Sequence, residues 1–480
     1  MLNRRHFLKN IGASGAVSFA AGTGILSALG NANAYAADVG GYKALVCLFF
    51  RGGQDSFDTV LPYDQTSYDT FSQLRPGLFS NYAGQNGGSS RDRSRLLALN
   101  PTNAADLGSR QFALPEALSP LKNLFDSGDA AILGNVGPLI EPISREEYQS
   151  KSKPRPNRLF SHNDQQSTWV SSSTEGETIG WGGKLADAIN ASNANVNPAF
   201  SAVSASGRST FLSGQFTQPY ALSSGGPVQV NGLKNRRSAL LGTGSENDKA
   251  IQMLEDHYRA SGAQRPNLFE RDIASISDKA FTSNNQYRSA LESATELTTE
   301  FPNNSLGRQL RDVASSINVK DALGMSRQVF FATMGGFDTH DNQATNLANR
   351  HTQYAEAIAA FHAATVEMGI QNDVTLFTAS DFGRTLIDNG DGTDHGWGAH
   401  HFIVGGGVQG NAIYGEMPEY NVDTETDAGK GRLIPTTSVE QYAATLGKWF
   451  GLSDPELLSA LPAHSNFTTR DLGFMANGTV

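Results

Sequence analysis

Lys43-Ala44-Leu45-Val46-Cys47-Leu48-Phe49-Phe50 is an apolar run without alternation, closed by Arg51-Gly52-Gly53. Continuous apolar character predicts a strand buried on both faces of a parallel sheet. The segments Ala130–Gly137, Arg327–Met334 (closed by Gly335-Gly336), Val374–Ala379 and Phe402–Gly405 have the same form, and Phe200–Val203 is a weaker version of it. Helical patterns lie between these runs. Leu347, Tyr354, Ile358, Phe361 and Met368 recur at steps of seven, four, three and seven, which is one face of a helix over about 344–368. Thr437-Ser438-Val439-Glu440 opens another helix, with a hydroxyl cap and an acid in the first turn. Strands alternating with helices predict an α/β fold with a mostly parallel central sheet flanked by helices.

Two stretches break the alternation. Residues 63–112 are polar and rich in Gly, Ser and Arg, which reads as a long surface excursion. Residues 245–320 read as a helical insertion. In Ile251–Tyr258, for example, Ile251, Leu254 and Tyr258 share a face and charge covers the rest. No internal repeat is present. The chain has 480 residues with 39% hydrophobic, 18% charged and 9% aromatic positions, a soluble globular balance that excludes a coiled coil or a multi-span membrane protein. With 37 basic and 47 acidic residues the net charge is −10, the wrong sign for general nucleic-acid binding. A lone cysteine, Cys47, excludes an intramolecular disulfide and a thiolate-built cluster, and its place in an apolar run reads as core.

The first 36 residues read as an address. Asn3-Arg4-Arg5-His6-Phe7-Leu8-Lys9 has the form of a twin-arginine export signal, followed by a weakly apolar Gly/Ala/Ser stretch and the small-residue site Ala34-Tyr35-Ala36. The stretch is too short and too rich in Gly and Ser for a stable transmembrane anchor. Residues 37–480 would then form a single α/β domain in the periplasm or outside the cell, with the twin-arginine translocase as a partner during export. That mature chain carries 34 basic and 47 acidic residues, a net −13.

Ligands of open parallel sheets bind beyond the carboxyl ends of the strands. The polar residues there are Arg51 to Asp58 after the first run, Asp338-Thr339-His340-Asp341 after the third, Asp381-Phe382-Gly383-Arg384 after the fourth, and Asp394-His395 with His400-His401 before the fifth. Asp55, Asp338, His340, Asp381 and His395 form a carboxylate–imidazole set suited to a divalent metal. Asp338 and His340 are equally suited to cap the helix that follows. His351 and His362, inside the long helical pattern, read as packing or solvated positions. Ser161, in Ser161-His162-Asn163-Asp164, sits at a helix start, where it can be an N-cap or a nucleophile beside oxyanion-binding N–H groups.

Arg51-Gly52-Gly53-Gln54-Asp55, Ser161-His162, Gly336-Phe337-Asp338-Thr339-His340, Asp381-Phe382-Gly383-Arg384-Thr385 and Asp394-His395-Gly396-Trp397-Gly398 together resemble the bacterial "domain of unknown function 1501" family, over nearly the whole mature chain. That family is placed in the alkaline phosphatase and sulfatase superfamily. The resemblance implies an alkaline phosphatase-like fold and a metal site holding Zn, Mn, Ca or Mg through Asp55, Asp338, His340, Asp381 and His395. It further implies Ser161 as nucleophile; Arg384 and Arg51 are suited either to hold the anionic ester by paired N–H bonds or to serve as ordinary salt-bridge partners. The order of these residues along the chain agrees with the superfamily. Three details depart from it. Asp55 is displaced from the strand end, Asp338 and His340 are spaced more tightly, and Phe382 stands where the superfamily has a metal-binding His. One metal, a shifted ligand such as His400, or no metal are all compatible with that departure. The expected function is a metal-dependent hydrolase of phosphate or sulfate esters, with an anionic ester as substrate. The alternative is a non-catalytic envelope binding or assembly protein that keeps the fold. No haem, flavin or iron–sulfur signature supports a redox role.

Overall fold

The computed structural model describes residues 40–84, 90–222, 253, 256–257 and 267–476. The expected signal at 1–36, nearly all of the helix expected at 251–258, and much of the first part of the expected insertion lie outside these residues.

Among the described residues, nine strands form one sheet: β1 Lys43–Arg51, β2 Ala130–Gly137, β3 Ala202–Ser204, β4 Tyr220–Ala221, β5 Arg327–Gly335, β6 Val374–Ser380, β7 Ala399–Val404, β8 Ile413–Gly415 and β9 Thr437–Ser438. The order across the sheet is β8-β2-β7-β6-β1-β5-β3-β4, with β9 also paired to β2. All pairs are parallel except those of β7, which runs antiparallel to β2 and β6. The mixed α/β architecture with a mostly parallel sheet is therefore the one the apolar runs predict. β1 shows why those runs are continuous. Val46, Leu48 and Phe50 enter one core, shared with Leu347, Tyr354 and Ile358 of the helix Gln343–Glu367. Leu45, Cys47 and Phe49 enter a second core on the other face, against Trp169, Leu185 and Tyr442. Alternate side chains point to opposite faces, so a strand covered on both sides cannot afford a polar position on either.

The helix Val439–Phe450 starts at Ser438, whose hydroxyl accepts from Gln441 N while the Gln441 side chain returns to Ser438 N. Farther back, Leu268–Ser293 and Ser305–Asn318 are helical. The second buries Leu306, Leu310, Val313 and Ile317 and fixes the edge of β5 through Gln309, which donates to Thr333 O and accepts from Thr333 N.

Residues 63–112 differ from the surface excursion expected. They form two helices, Gln65–Leu74 and Pro76–Ala83, and short strands that deliver Phe71, Leu78, Tyr82 and Phe112 to the interior. The Arg-rich composition misleads because Arg75 and Arg91 are buried counter-ions. Arg75 Nη1 lies 2.6 Å from Asp55 Oδ2, and Arg91 Nε lies 2.6 Å from Asp58 Oδ1. No helix among the described residues is long and apolar enough to cross a membrane.

Candidate functional site

Three neighbouring strands end side by side and aim their following loops at one point. Arg51 at the end of β1 is in register with Gly335 of β5, and Phe50 with Ser380 of β6. The chain then turns at Gly52, with φ +115°, where a Cβ would lie 2.4 Å from Asp338 N. Only glycine allows the loops after β1 and β5 to pass so closely. Gly52 N donates to Asp381 Oδ2 at 3.0 Å, tying the loop after β6 to the same point.

Asp338 is the hub. His340 Nε2 lies 3.1 Å and His395 Nε2 3.3 Å from its Oδ1, and His162 Nε2 lies 3.4 Å from its Oδ2. His340 Nε2 and His395 Nε2 are 2.8 Å apart. His162 and His395 turn the other nitrogen outward to a hydrogen-bond acceptor, and His340 faces a carboxylate at longer range. His162 Nδ1 is 2.9 Å from Asp381 Oδ2, His395 Nδ1 is 2.8 Å from Phe160 O, and His340 Nδ1 is 3.6 Å from Asp394 Oδ1. An outer acceptor on the second ring nitrogen is the usual arrangement behind metal-ligating histidines, since it fixes the tautomer and leaves a lone pair on the inner nitrogen. Phe160 O fixes His395 in this way from a left-handed backbone, φ 71°.

The donor set fits a divalent metal. His162, Asp338 and His395 offer ligand atoms that all lie within 4.8 Å of one another. With bonds of about 2.0–2.1 Å, a tetrahedral zinc site has ligand–ligand edges of roughly 3.3 Å, close to the separations around Asp338. His162 makes the case most sharply. If Nδ1–H donates to Asp381, a neutral ring aims a lone pair at Asp338 Oδ2, which requires either a proton on Nε2 or a cation between them. Among the described residues, buried Asp381 Oδ1 likewise has no hydrogen-bond partner.

Neighbouring charges and burial shift the groups of the site in different directions. The hydrogen bond and charge of Asp381 raise His162 above the ordinary histidine value, against the effect of burial. Burial alone would raise Asp338, but the hydrogen bond and charge of Arg384, with His162 and His340, outweigh it and hold the carboxyl below its usual range. Burial lowers His395, which favours its neutral ring.

The structure brings Asp338, His340, Asp381 and His395 together. Asp381 stands behind His162 and reaches the hub through it. Asp55 is placed elsewhere. Its carboxylate accepts from both Arg75 Nη atoms, from Gln343 Nε2 at 2.6 Å and from Phe57 N and Asp58 N, a fully buried structural pair and cap. Asp338 and His340 do not cap the following helix; Asp391 does, through Asn342 N and Gln343 N. Ser161 is the N-cap residue of the helix His162–Ser171 but makes no side-chain cap bond, and its Oγ donates to Asp164 Oδ2 at 2.9 Å. Arg384 is buried, donates to the carbonyls of Gly53, Thr393 and Gly52, and pairs with Asp338 Oδ1. It orients Asp338, and most of its N–H groups are taken up by these partners. His400 is buried inside β7, where its Nδ1 accepts from Asn135 N, so it is not a substitute ligand.

His162 was absent from the sequence-derived ligand set, although the Ser161-His162 pair is part of the motif. A hydroxyl at a helix start reads as the reactive group, and nothing in local spacing shows that the histidine one position on crosses to the strand ends. Phe382 lies against the histidines of the cluster. Its ring packs on His162 and His395 at centroid distances of 4.7 and 4.6 Å. It also lies where a Gly53 side chain would be, so it acts as an apolar wall of the site.

The sequence matches the family described as "Protein of unknown function (DUF1501)" over residues 42–460. No curated protein matches it. Solved structures similar to the chain include Ps i-CgsB in complex with k-i-k-neocarrahexaose, at 10% identity over 88% of this chain and 77% of that one, with a TM-score of 0.32. A 2-O GAG sulfatase is similar at 10% identity over 86% and 72%, TM-score 0.28. A protein of glycosaminoglycan metabolism in Bacteroides thetaiotaomicron is similar at 10% identity over 86% and 74%, TM-score 0.29. Likeness at this level shows neither activity nor substrate for this chain.

Proposed function

The chain belongs to the DUF1501 family, and from that premise we propose that it is an exported, metal-dependent hydrolase of phosphate or sulfate esters. One observation carries the reading: three imidazoles present Nε2 to a single carboxylate while Nδ1 of His162 and His395 faces an outer acceptor and that of His340 a carboxylate at longer range. His162, Asp338, His340 and His395 would hold the divalent cation. When bound, such a cation lowers the pKa of a nearby nucleophile and stabilises the leaving oxygen.

The chain's own groups supply the rest. Arg384 keeps Asp338 ionised and oriented, and Asp381 fixes the His162 ring. Phe382 packs an apolar ring against His162 and His395. Ser161 is the candidate nucleophile. It lies between Phe160 and His162, which both hold the centre, and Asp164 is placed to accept its hydroxyl proton. The twin-arginine signal accounts for export in this reading, with the protein folded before transit.

A second reading keeps the fold as a binding or assembly module. The Arg384–Asp338 pair and the Phe382 wall favour it, because they give the cluster a charge-compensated, packed state. Aryl phosphate and aryl sulfate turnover, with and without chelator, separates the two. The hydrolase reading predicts turnover that chelation removes, one divalent cation restores and Ser161→Ala abolishes. Full metal occupancy without turnover of either ester supports the binding module.

A further inference from the structure

A polar cleft of about 310 Å³ opens beside the His/Asp cluster, lined by Arg51, Asn163, Gln166, Glu175, Glu177 and Arg208 among others. Two elements connect cleft and cluster directly. Arg51 immediately precedes Gly52, whose N–H holds Asp381, and Asn163 immediately follows His162. Cleft and cluster thus share the end of β1 and the start of the helix His162–Ser171.

The two arginines decide what the cleft can hold. Both are exposed, they come from different parts of the chain, and neither is paired with a carboxylate among the described residues. This contrasts with Arg75, Arg91 and Arg384, which are all buried and paired. Two unpaired guanidiniums in one cleft form a site for a second anionic group, since their planar forks match sulfate, phosphate and carboxylate oxygens. Glu175 and Glu177 also line the cleft and offset the net charge; Glu177 Oε1 is engaged by Thr178 N and Ile179 N of its own loop, so what the cleft offers an anion is the pair of guanidinium forks. The remaining polar lining, the amides of Asn163 and Gln166 with Ser209 and Thr210, offers donors and acceptors to hydroxyl groups.

We propose that this cleft is a second anion subsite, and that the substrate is a polyanionic, hydroxyl-rich ester, such as a multiply sulfated or phosphorylated saccharide. The reacting ester group lies at the cluster, and an anionic group of the adjoining unit lies between Arg51 and Arg208. The subsite rests on the hydrolase reading, but its occupancy can be measured without turnover.

The test is calorimetric binding, at low salt, of a disaccharide sulfated on both sugars and of its unsulfated counterpart, with metal content measured on the same preparations. The sulfated probe should bind on the order of tenfold or more tightly than the unsulfated one. Arg51→Gln/Arg208→Gln should weaken it by roughly ten- to a hundredfold, as the loss of charge-assisted hydrogen bonds implies. Arg208→Glu alone should weaken it at least as much as Arg208→Gln alone. Equal affinity of wild type and double variant, or no preference for the sulfated probe, overturns the subsite whatever the metal content. Arginine-dependent binding to a protein that holds no metal supports the subsite and overturns the hydrolase reading.

Discussion

His340 Nε2 and His395 Nε2 stand 2.8 Å apart, and both lie within 3.3 Å of the same oxygen of Asp338. Two imidazole nitrogens at that distance share one proton or share one cation. Phe160 O takes the Nδ1 proton of His395, so His395 Nε2 is the acceptor of the pair. With His162 on the other Asp338 oxygen, the arrangement places three nitrogen donors around a carboxylate that Arg384 holds ionised.

Asp381→Asn should weaken divalent metal binding by about 10–100-fold while leaving the melting profile little changed. The carboxylate fixes the ring of His162 from behind, and loss of such outer support typically has that effect. Competition titration against a chromogenic chelator measures it. Unchanged affinity means His162 does not hold the metal.

Asp55→Asn should separate Asp55 from the centre. Its carboxylate is fully buried and bonded to Arg75, so removing the charge leaves Arg75 uncompensated, at a cost of about 3–5 kcal/mol. Metal stoichiometry should stay at the wild-type value in the fraction that remains folded. Chemical denaturation and elemental analysis of the same samples provide the check, and a stable variant that loses its metal would return Asp55 to the ligand set.

These two carboxylates show what the sequence could and could not reveal. The strands were legible because burial on both faces leaves continuous apolar runs, as in β1 and β5. Asp338, His340, Asp381 and His395 stood out because parallel strands present their following loops to a common edge. The partner of Asp55 was not legible. Arg75 is 20 residues away in a stretch whose composition reads as solvent-exposed, and only the tertiary fold buries it. His162 was hidden for a related reason. Its helix reaches the centre through the unusual backbone at Arg158 and Phe160, both with positive φ, and no residue pattern announces that turn.

Gly52→Ala should disturb both fold and site. The positive φ costs an alanine on the order of 1–3 kcal/mol, and its Cβ would press on Asp338 N. A lower midpoint in denaturant together with weakened metal binding is expected. A variant with wild-type stability and metal affinity would show that the close approach of the two loops is not required.

Stability should fall on acidification well before the carboxylates protonate. Burial pushes His400 down to about 4 and His401 down to about 3, both below the free value of 6.5. The unfolded chain therefore binds more protons than the folded one below about pH 6.5. The neutral rings contribute their full stability above that pH, and it is lost as pH falls toward the folded values. His401→Gln should flatten this slope between pH 6.5 and 4.5, whatever it does to absolute stability. Denaturation midpoints across that range would show an unaltered slope if His401 is not a source of the effect.

The central claim, that the His/Asp cluster holds a divalent metal, is tested most directly by elemental analysis of chelator-free protein alongside His162→Ala and Asp338→Ala. The account predicts at least one equivalent of a divalent metal in the wild type and its loss from both variants, with each still folded. A wild-type protein without metal that gains none on titration with Zn, Mn, Ca or Mg would contradict it, and the Arg384–Asp338–histidine cluster would then be a structural ion-pair network.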